Sequence, residues 1–282
     1  MATIRQGLRR NPTILVGGIM LLLLVLASVF APLLAPADPI KTGFATRVRP
    51  PSILGYASGF WLGSDNLGRD VLSRILYGGR ISLWVAARGV VGAGIVGVSL
   101  GLVSGYVGGW FDDVVQRIVD VQLSFPVIML AIAFIAVVGT SEAAVVGVLM
   151  VSGWVIYART VRASVLTVKH NDYIQAARSL GAGGARIVLL HLLPNVTAPI
   201  IVVATVQFAS MLLLESGLSF LGLGIQPPTP SWGKMLAEGR DYLSNAWWLS
   251  TMPGLAISLA VLGANLLGDG VRDFLDPNLR AL

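Results

Sequence analysis

The sequence contains no cysteine and only two histidines, His170 and His191, which excludes disulfides, thiolate metal sites and cysteine catalysis. Charge is scarce too: Asp, Glu, Lys and Arg make up 12% of the 282 residues, where a soluble domain carries about 25%. There is no G-x-x-x-x-G-K-[ST] phosphate loop, since Gly233-Lys234 is followed by Met235, and so no evident means of hydrolysing ATP in this chain. Neither H-E-x-x-H nor any His/Asp/Glu cluster with metal spacing occurs, and Gly217-Leu218-Ser219-Phe220 falls short of a nucleophile elbow. Asp269 has no second intramembrane aspartate with which to form an aspartyl site. No catalytic residue, metal ligand or resident cofactor is expected. Basic runs interleaved with aromatics are missing as well, which argues against nucleic acid. The net charge of +6 is read instead as cations retained on the cytoplasmic side of a membrane.

What is abundant is apolar surface. Hydrophobic residues reach 55% and mean hydropathy is +0.79, more than one water-soluble core can hide. The chain reads as an all-α integral membrane protein. Stretches long enough for a bilayer core of ~20 residues fall at about 14–35, 81–106, 123–139, 143–158, 198–221 and 247–267, giving about six transmembrane helices. Thr140-Ser141-Glu142 alone join the third and fourth, which predicts a tight hairpin. A signal peptide shares the basic-then-apolar order of the N-terminus, but its apolar region runs to only ~7–15 residues, so an uncleaved span is preferred.

Six spans put both termini on one side. The leader arginines Arg5, Arg9 and Arg10, and the later loop with Arg159, Arg162, Lys169, Arg178 and Arg186 against Asp172, favour a cytoplasmic N-terminus. Lys41, Arg47, Arg49, Arg69, Arg74 and Arg80 in the first external loop argue the other way. Trp247 and Trp248 fit an interfacial aromatic belt. Gly97, Gly101, Gly105 and Gly109 recur every four residues, so one helix face lets another backbone approach closely, for sliding or for static packing. Over 67–77, Val71, Leu72, Ile75 and Leu76 share a face while Arg69, Asp70 and Arg74 lie elsewhere, predicting an amphipathic helix on the outer membrane interface.

Glu215 is the single acid inside a predicted span, where an acid costs roughly 2.5–3.5 kcal/mol unless partnered or wetted. Arg88 also lies on the outer half, so the two are expected to share a polar site as an ion pair or part of an outer gate. Gln207, Ser219 and Asn265 are the other candidates for a pathway lining, or for hydrogen bonds between helices.

The most informative stretch is 171–195, NDYIQAARSLGAGGARIVLLHLLPN. Asp172 is placed to cap a helix with Gln175 reaching back in a capping box. Residues 173–180 then make about two turns, with Gly181 as the αL stop. Ile174, Ala177 and Leu180 form a small apolar face, and Ala176-Ala177 keeps the helix thin. A second helix is expected from about 185 to 193, with Pro194 marking membrane re-entry. Such a narrow helix suits a groove on a soluble partner.

These residues carry a resemblance. Gln175-Ala176-Ala177, Gly181 and Leu193-Pro194 are similar to the EAA loop of ABC-importer permeases, although Gln175 stands for the usual glutamate and His191 for the usual isoleucine. Phe60-Trp61-Leu62-Gly63-Ser64-Asp65 and Leu67-Gly68-Arg69-Asp70-Val71-Leu72-Ser73-Arg74 resemble the segment before the permease core in the dipeptide/oligopeptide/nickel branch. So do Gly105-Tyr106 with Gly108-Gly109-Trp110, Leu123-Ser124-Phe125-Pro126 and the run from Glu215-Ser216-Gly217 to Pro230-Ser231-Trp232-Gly233. Asn265-Leu266-Leu267-Gly268-Asp269-Gly270 completes the likeness to the C-type subunit of that branch.

The resemblance implies a type I ABC-importer permease architecture. Residues 1–80 would hold the first span and an extracytoplasmic segment, and 81–282 a five-helix core with its coupling loop at about 159–195. It implies a homologous B-type permease, two cytoplasmic ABC ATPases carrying ATP and Mg, an extracytoplasmic binding protein and the lipid of a bacterial or archaeal cytoplasmic membrane as partners. The ATPase would be coupled through Tyr173, Gln175, Ala176, Ala177, Leu180, Gly181, Arg186 and Pro194. Segments 67–77 and 222–245 would be candidates for binding-protein contact. Peptides, nickel chelates and other small solutes all fit as substrates. A self-sufficient secondary transporter, the alternative, leaves the EAA-like loop unexplained, and an intramembrane hydrolase lacks its nucleophile.

Overall fold

The structure is a computed structural model that describes residues 12–275; the leader arginines Arg5, Arg9 and Arg10 and both chain ends lie outside them. It is helical throughout, with a single isolated bridge between Ser64 and Asp70. In chain order the helices are α1 (Pro12–Val29), α2 (Ala31–Leu34), α3 (Val71–Val107), α4 (Gly109–Leu123), α5 (Val127–Val138), α6 (Glu142–Val168), α7 (Asp172–Ser179), α8 (Gly184–Ile187), α9 (Leu193–Phe220), α10 (Trp232–Gly239) and α11 (Trp248–Leu275).

Among the described residues, five helical runs are long and apolar enough to cross a membrane: α1, α3, α6, the continuous Gly184–Phe220 and α11. The sixth exists only as the pair α4 and α5, which meet at 94°. The expected third span therefore differs from its sequence outline. Pro126, lacking an N–H and unable to continue a helix from Leu123, sets the break. The 12 residues of α5 reach only about 18 Å, short of a ~30 Å hydrocarbon core. Gln122 fastens the bend to α6, donating to the Val151 carbonyl at 2.5 Å and accepting from Trp154 Nε1 at 2.8 Å. The hairpin into α6 forms as expected, with Ser141 capping α6 by accepting from the Ala144 N–H at 3.0 Å.

The core is built on α3 and α6, the most extensively packed helix pair. A Cβ at Gly97 would come within 2.2 Å of the Trp154 carbonyl oxygen, and one at Gly101 within 2.6 Å of the Ala158 oxygen. Three of the four glycines in the repeat thus hold α3 against α6, while Gly109 sits past the helix end with φ +57°. Around this pair, α9 packs on α3, α6 and α11, and α1 lies along α11.

Around the start of α3 and α11, several expectations change. The segment over 67–77 is not a separate interfacial helix: Asp70 caps α3, accepting from the Ser73 N–H at 2.7 Å, and Val71 begins a run of 37 residues. Its cations are not on a wet face either. Arg69 and Arg74 are buried, and both bond Asp65 and Glu238 at 2.5–3.0 Å. Paired in this way, buried charge is tolerated where isolated charge is not. Because α3 runs unbroken past residue 80, and α1 is packed on α11, the expected boundary at 80 marks no structural break. Trp247 is exposed, but Trp248 is only 6% exposed and packs with Val71 and Met235 rather than forming a lipid-facing belt.

Candidate functional site

The segment 171–195 forms a helical hairpin across the ends of α3 and α6. Its first helix is α7. Asn171 occupies the N-cap without a side-chain bond, its carbonyl accepting from Ile174 and Gln175. Asp172 is the first helical residue, so the expected capping box is not made; its carboxylate acts on the helix N-terminus through charge instead. At the other end the Ala182 N–H donates to the Ala177 oxygen at 3.0 Å and the Gly181 N–H to the Arg178 oxygen at 2.9 Å. These paired bonds make a Schellman stop, with Gly181 at φ +83° as the αL residue.

The three residues expected on one apolar face part company. Ile174 is fully buried in a cluster with Leu102 of α3, Val161 and Val165 of α6, Ile187 and Leu192 of the hairpin's second limb, and Val196 just beyond it. Ala177 is half-buried, and Leu180 is 88% exposed. Leu180 sits at the C-cap, where the backbone leaves the helical register and turns its side chain outward. Tyr173, Gln175, Ala176, Gly181, Arg186 and Pro194 are all exposed. The hairpin therefore offers an exposed face of Tyr173, Gln175, Ala176 and Leu180 with one isoleucine turned inward.

The second helix also departs from expectation. It begins at Gly184 and does not stop at Pro194: α8, a π turn over Val188–Leu192 and α9 run on as one rod. Pro194 has no N–H to give and its ring crowds the carbonyl four residues back, so a wider turn just before it lets the helix continue.

Magnitudes show that Ile174 alone does not hold α7. Burying one isoleucine yields about 1.5–3 kcal/mol, whereas fixing each backbone residue costs about 1–2 kcal/mol. Further ties are present. Lys169, the C-cap of α6, donates to the Gly105 carbonyl in the last turn of α3 at 2.9 Å. Arg162 forms a two-pronged pair with Asp112 of α4, both contacts at 2.5 Å. The Arg178 guanidinium lies 5.3 Å from the centre of the Tyr106 ring.

The candidate pathway residues fall into different settings. Arg88 and Glu215 do not pair: Arg88 bonds Glu142 at the start of α6 and lies over the Trp84 ring. Glu215 is fully buried, bonded by Ser219 at 2.8 Å and Ser216 at 3.4 Å, with Ser82 and Ser231 completing a ring of hydroxyls. Ser82 and Ser231 accept from the Trp232 and Lys234 N–H groups, and Ser219 from Ile225, which leaves each hydroxyl proton free for the carboxylate. The nearby N-terminus of α10 favours negative charge as well. A cation was the expected solution to a buried acid; hydroxyls and a helix end supply another. Gln207, 5% exposed, reaches the Gly153 oxygen at 3.4 Å between α9 and α6, and Asn265 is exposed on α11.

Sequence reasoning did not single out Tyr106, Lys169 or the Asp112–Arg162 pair as parts of one site. Their partners lie 50 residues or more away along the chain, and no local periodicity joins them. The Asp65–Arg69 spacing of four was a readable signal, but Glu238 was not.

Comparison with known proteins places this geometry in context. Residues 97–281 match the family described as binding-protein-dependent transport system inner membrane component. Residues 1–51 match the N-terminal transmembrane domain of oligopeptide transport permease C. The chain is 43% identical over 276 residues to a di/tripeptide transport system permease protein of Pseudomonas aeruginosa, covering 98% of this chain and 91% of the relative. It is 41% identical to a dipeptide transport system permease protein of Alkalihalophilus pseudofirmus, with 98% and 89% covered. A glutathione transport system permease protein of Pectobacterium atrosepticum is also 41% identical, with 98% and 90% covered.

Proposed function

The chain belongs to the binding-protein-dependent transport permeases, multi-pass membrane proteins of ABC importers, and on that premise we propose that it carries di- or tripeptides, or related small solutes, as one half of a translocation pathway. The full-length likeness to permeases named for di/tripeptides, dipeptides and glutathione supports the substrate class. The hairpin 171–195 is the docking point for a cytoplasmic ATPase. The observation that carries this is the form of α7: a thin helix, anchored by buried Ile174, with Tyr173, Gln175, Ala176 and Leu180 left exposed.

In this reading the chain supplies no bond-breaking chemistry. ATP and Mg belong to two separate ATPase subunits, a division of labour that the missing phosphate loop supports. A homologous B-type permease supplies the other half of the pathway, and a binding protein delivers solute to the face formed by 36–70 and 222–245. Closure of the ATPase dimer moves the docked hairpins and opens the path outward; hydrolysis resets it. The protein lies in a bacterial or archaeal cytoplasmic membrane with both termini inside.

Reconstitution tests the reading. Labelled dipeptide should enter proteoliposomes only when this chain, its partner permease, the ATPases, the binding protein and ATP are all supplied. Uptake by the chain alone under an ion gradient would overturn it.

A further inference from the structure

A docking helix transmits force only if it cannot swivel where it meets the membrane bundle. Ile174 is a single pin, and α7 has eight residues. The residues that stop rotation about that pin converge on the last turn of α3. Tyr106 is gripped by both limbs of the hairpin. Arg178, from the end of α7, lies over its ring at 5.3 Å, and Gly184, opening α8, is so close that an added Cβ would stand 3.3 Å from Tyr106 Cε1. One residue earlier, the Gly105 carbonyl is among those left without a partner at a helix C-terminus. Lys169 fills that vacancy at 2.9 Å, two residues before α7 is capped.

We propose that Tyr106, Arg178 and Lys169 are positioning residues that lock the hairpin onto α3 and α6, so that displacement of α7 moves those two helices as one body. The proposal rests on the docking role of 171–195. The glycine faces of α3 leave no slack against α6, and the Arg162–Asp112 pair extends the tie to α4. Arg178 is exposed, and its guanidinium is thereby assigned to Tyr106 and not only to a partner's surface. Aromatic faces attract guanidinium through their quadrupole, which leucine of comparable bulk cannot do.

The absence of native cysteine allows the test to be made directly. Spin labels at Ala176→Cys and Val103→Cys, on the exposed sides of α7 and α3, report the hairpin's position in lipid nanodiscs. A second pair at Val103→Cys and Ala163→Cys reports α3 against α6. The 103–176 distance distribution should be narrow. It should broaden at least twofold in Tyr106→Leu and in Arg178→Ala, recover in Tyr106→Phe, and leave the 103–163 pair unchanged. In the reconstituted importer, substrate moved per ATP should fall about tenfold in the same two variants, and Tyr106→Phe should restore it. An unchanged 103–176 distribution in both variants, or a Tyr106→Phe variant as loose as Tyr106→Leu, would overturn the proposal. The label distances need no ATPase, so they decide the positioning claim separately. Failure of the ATPase to crosslink to the thiol of the Ala176→Cys variant would count instead against the docking reading.

Discussion

Glu215 shows how a membrane interior accepts an acidic side chain by satisfying it with hydroxyls. Four serines from α3, α9 and the start of α10 face one carboxylate, and three of them also receive backbone N–H bonds from 225–234. The acid is thus a knot between two spanning helices and α10. Replacing it with alanine would orphan several buried hydroxyls, each worth about 1–3 kcal/mol. Glu215→Ala should therefore lower the melting temperature of the detergent-solubilised protein sharply, and Glu215→Gln, which keeps an acceptor oxygen, much less. Equal melting of both variants and the parent would remove the knot. That Glu215 needed a partner was legible from its place in an apolar run. Which partner it took was not, because Ser82 stands 133 residues before it (215 − 82) and Ser231 beyond the end of its helix, outside any local periodicity.

Helices carry two contrasting glycine predictions. At Gly97 an added methyl meets the Trp154 backbone oxygen at 2.2 Å, whereas at Gly217, inside α9, nothing lies within 4 Å. Gly97→Ala should destabilise by the ~1–3 kcal/mol typical of overpacking, or prevent folding. Gly217→Ala should be neutral or gain up to ~1 kcal/mol from helix propensity. Thermal unfolding of the two variants side by side checks the contrast. At Gly181 the constraint is conformational: φ is +83° with open space around it. Valine there costs about 1–3 kcal/mol of backbone strain and should loosen the Schellman stop. Gly181→Val should insert normally in membranes and yet stimulate the ATPase poorly, measured as hydrolysis with and without substrate. The glycine repeat and the αL stop were both readable, since spacing and residue type encode them. The broken third span and the helix running through Pro194 were not. Whether a proline ends a helix or is absorbed by a neighbouring π turn depends on packing around it.

Across the whole molecule, the cap formed by 36–70 and α10 is closed by charge. Asp65 accepts from both Arg69 and Arg74, and Glu238 reaches the same two cations from the far side of the chain. Removing one member of a buried ionic group leaves the others uncompensated, at a cost of about 3–5 kcal/mol. Asp65→Ala should accordingly open segment 36–70 to limited proteolysis while helix content by circular dichroism is retained. Protection equal to the parent's would show that the cap does not depend on the cluster. The same cluster shows what simple counting of cations leaves out. Two of the six were already neutralised, and composition records charge without recording its partner.

Membrane class, the number of apolar stretches, the hairpin before α6 and the short helix stopped by Gly181 were all determined by the sequence itself, because each depends on hydropathy, length or local backbone preference. Tertiary structure alone decided that Glu215 faces serines and not Arg88, that Arg69 and Arg74 are buried, and that Tyr106 stands between the two limbs of the hairpin. Those outcomes turn on which groups meet after helices pack, and a buried polar atom bonds whatever satisfies it in space, however distant in the chain.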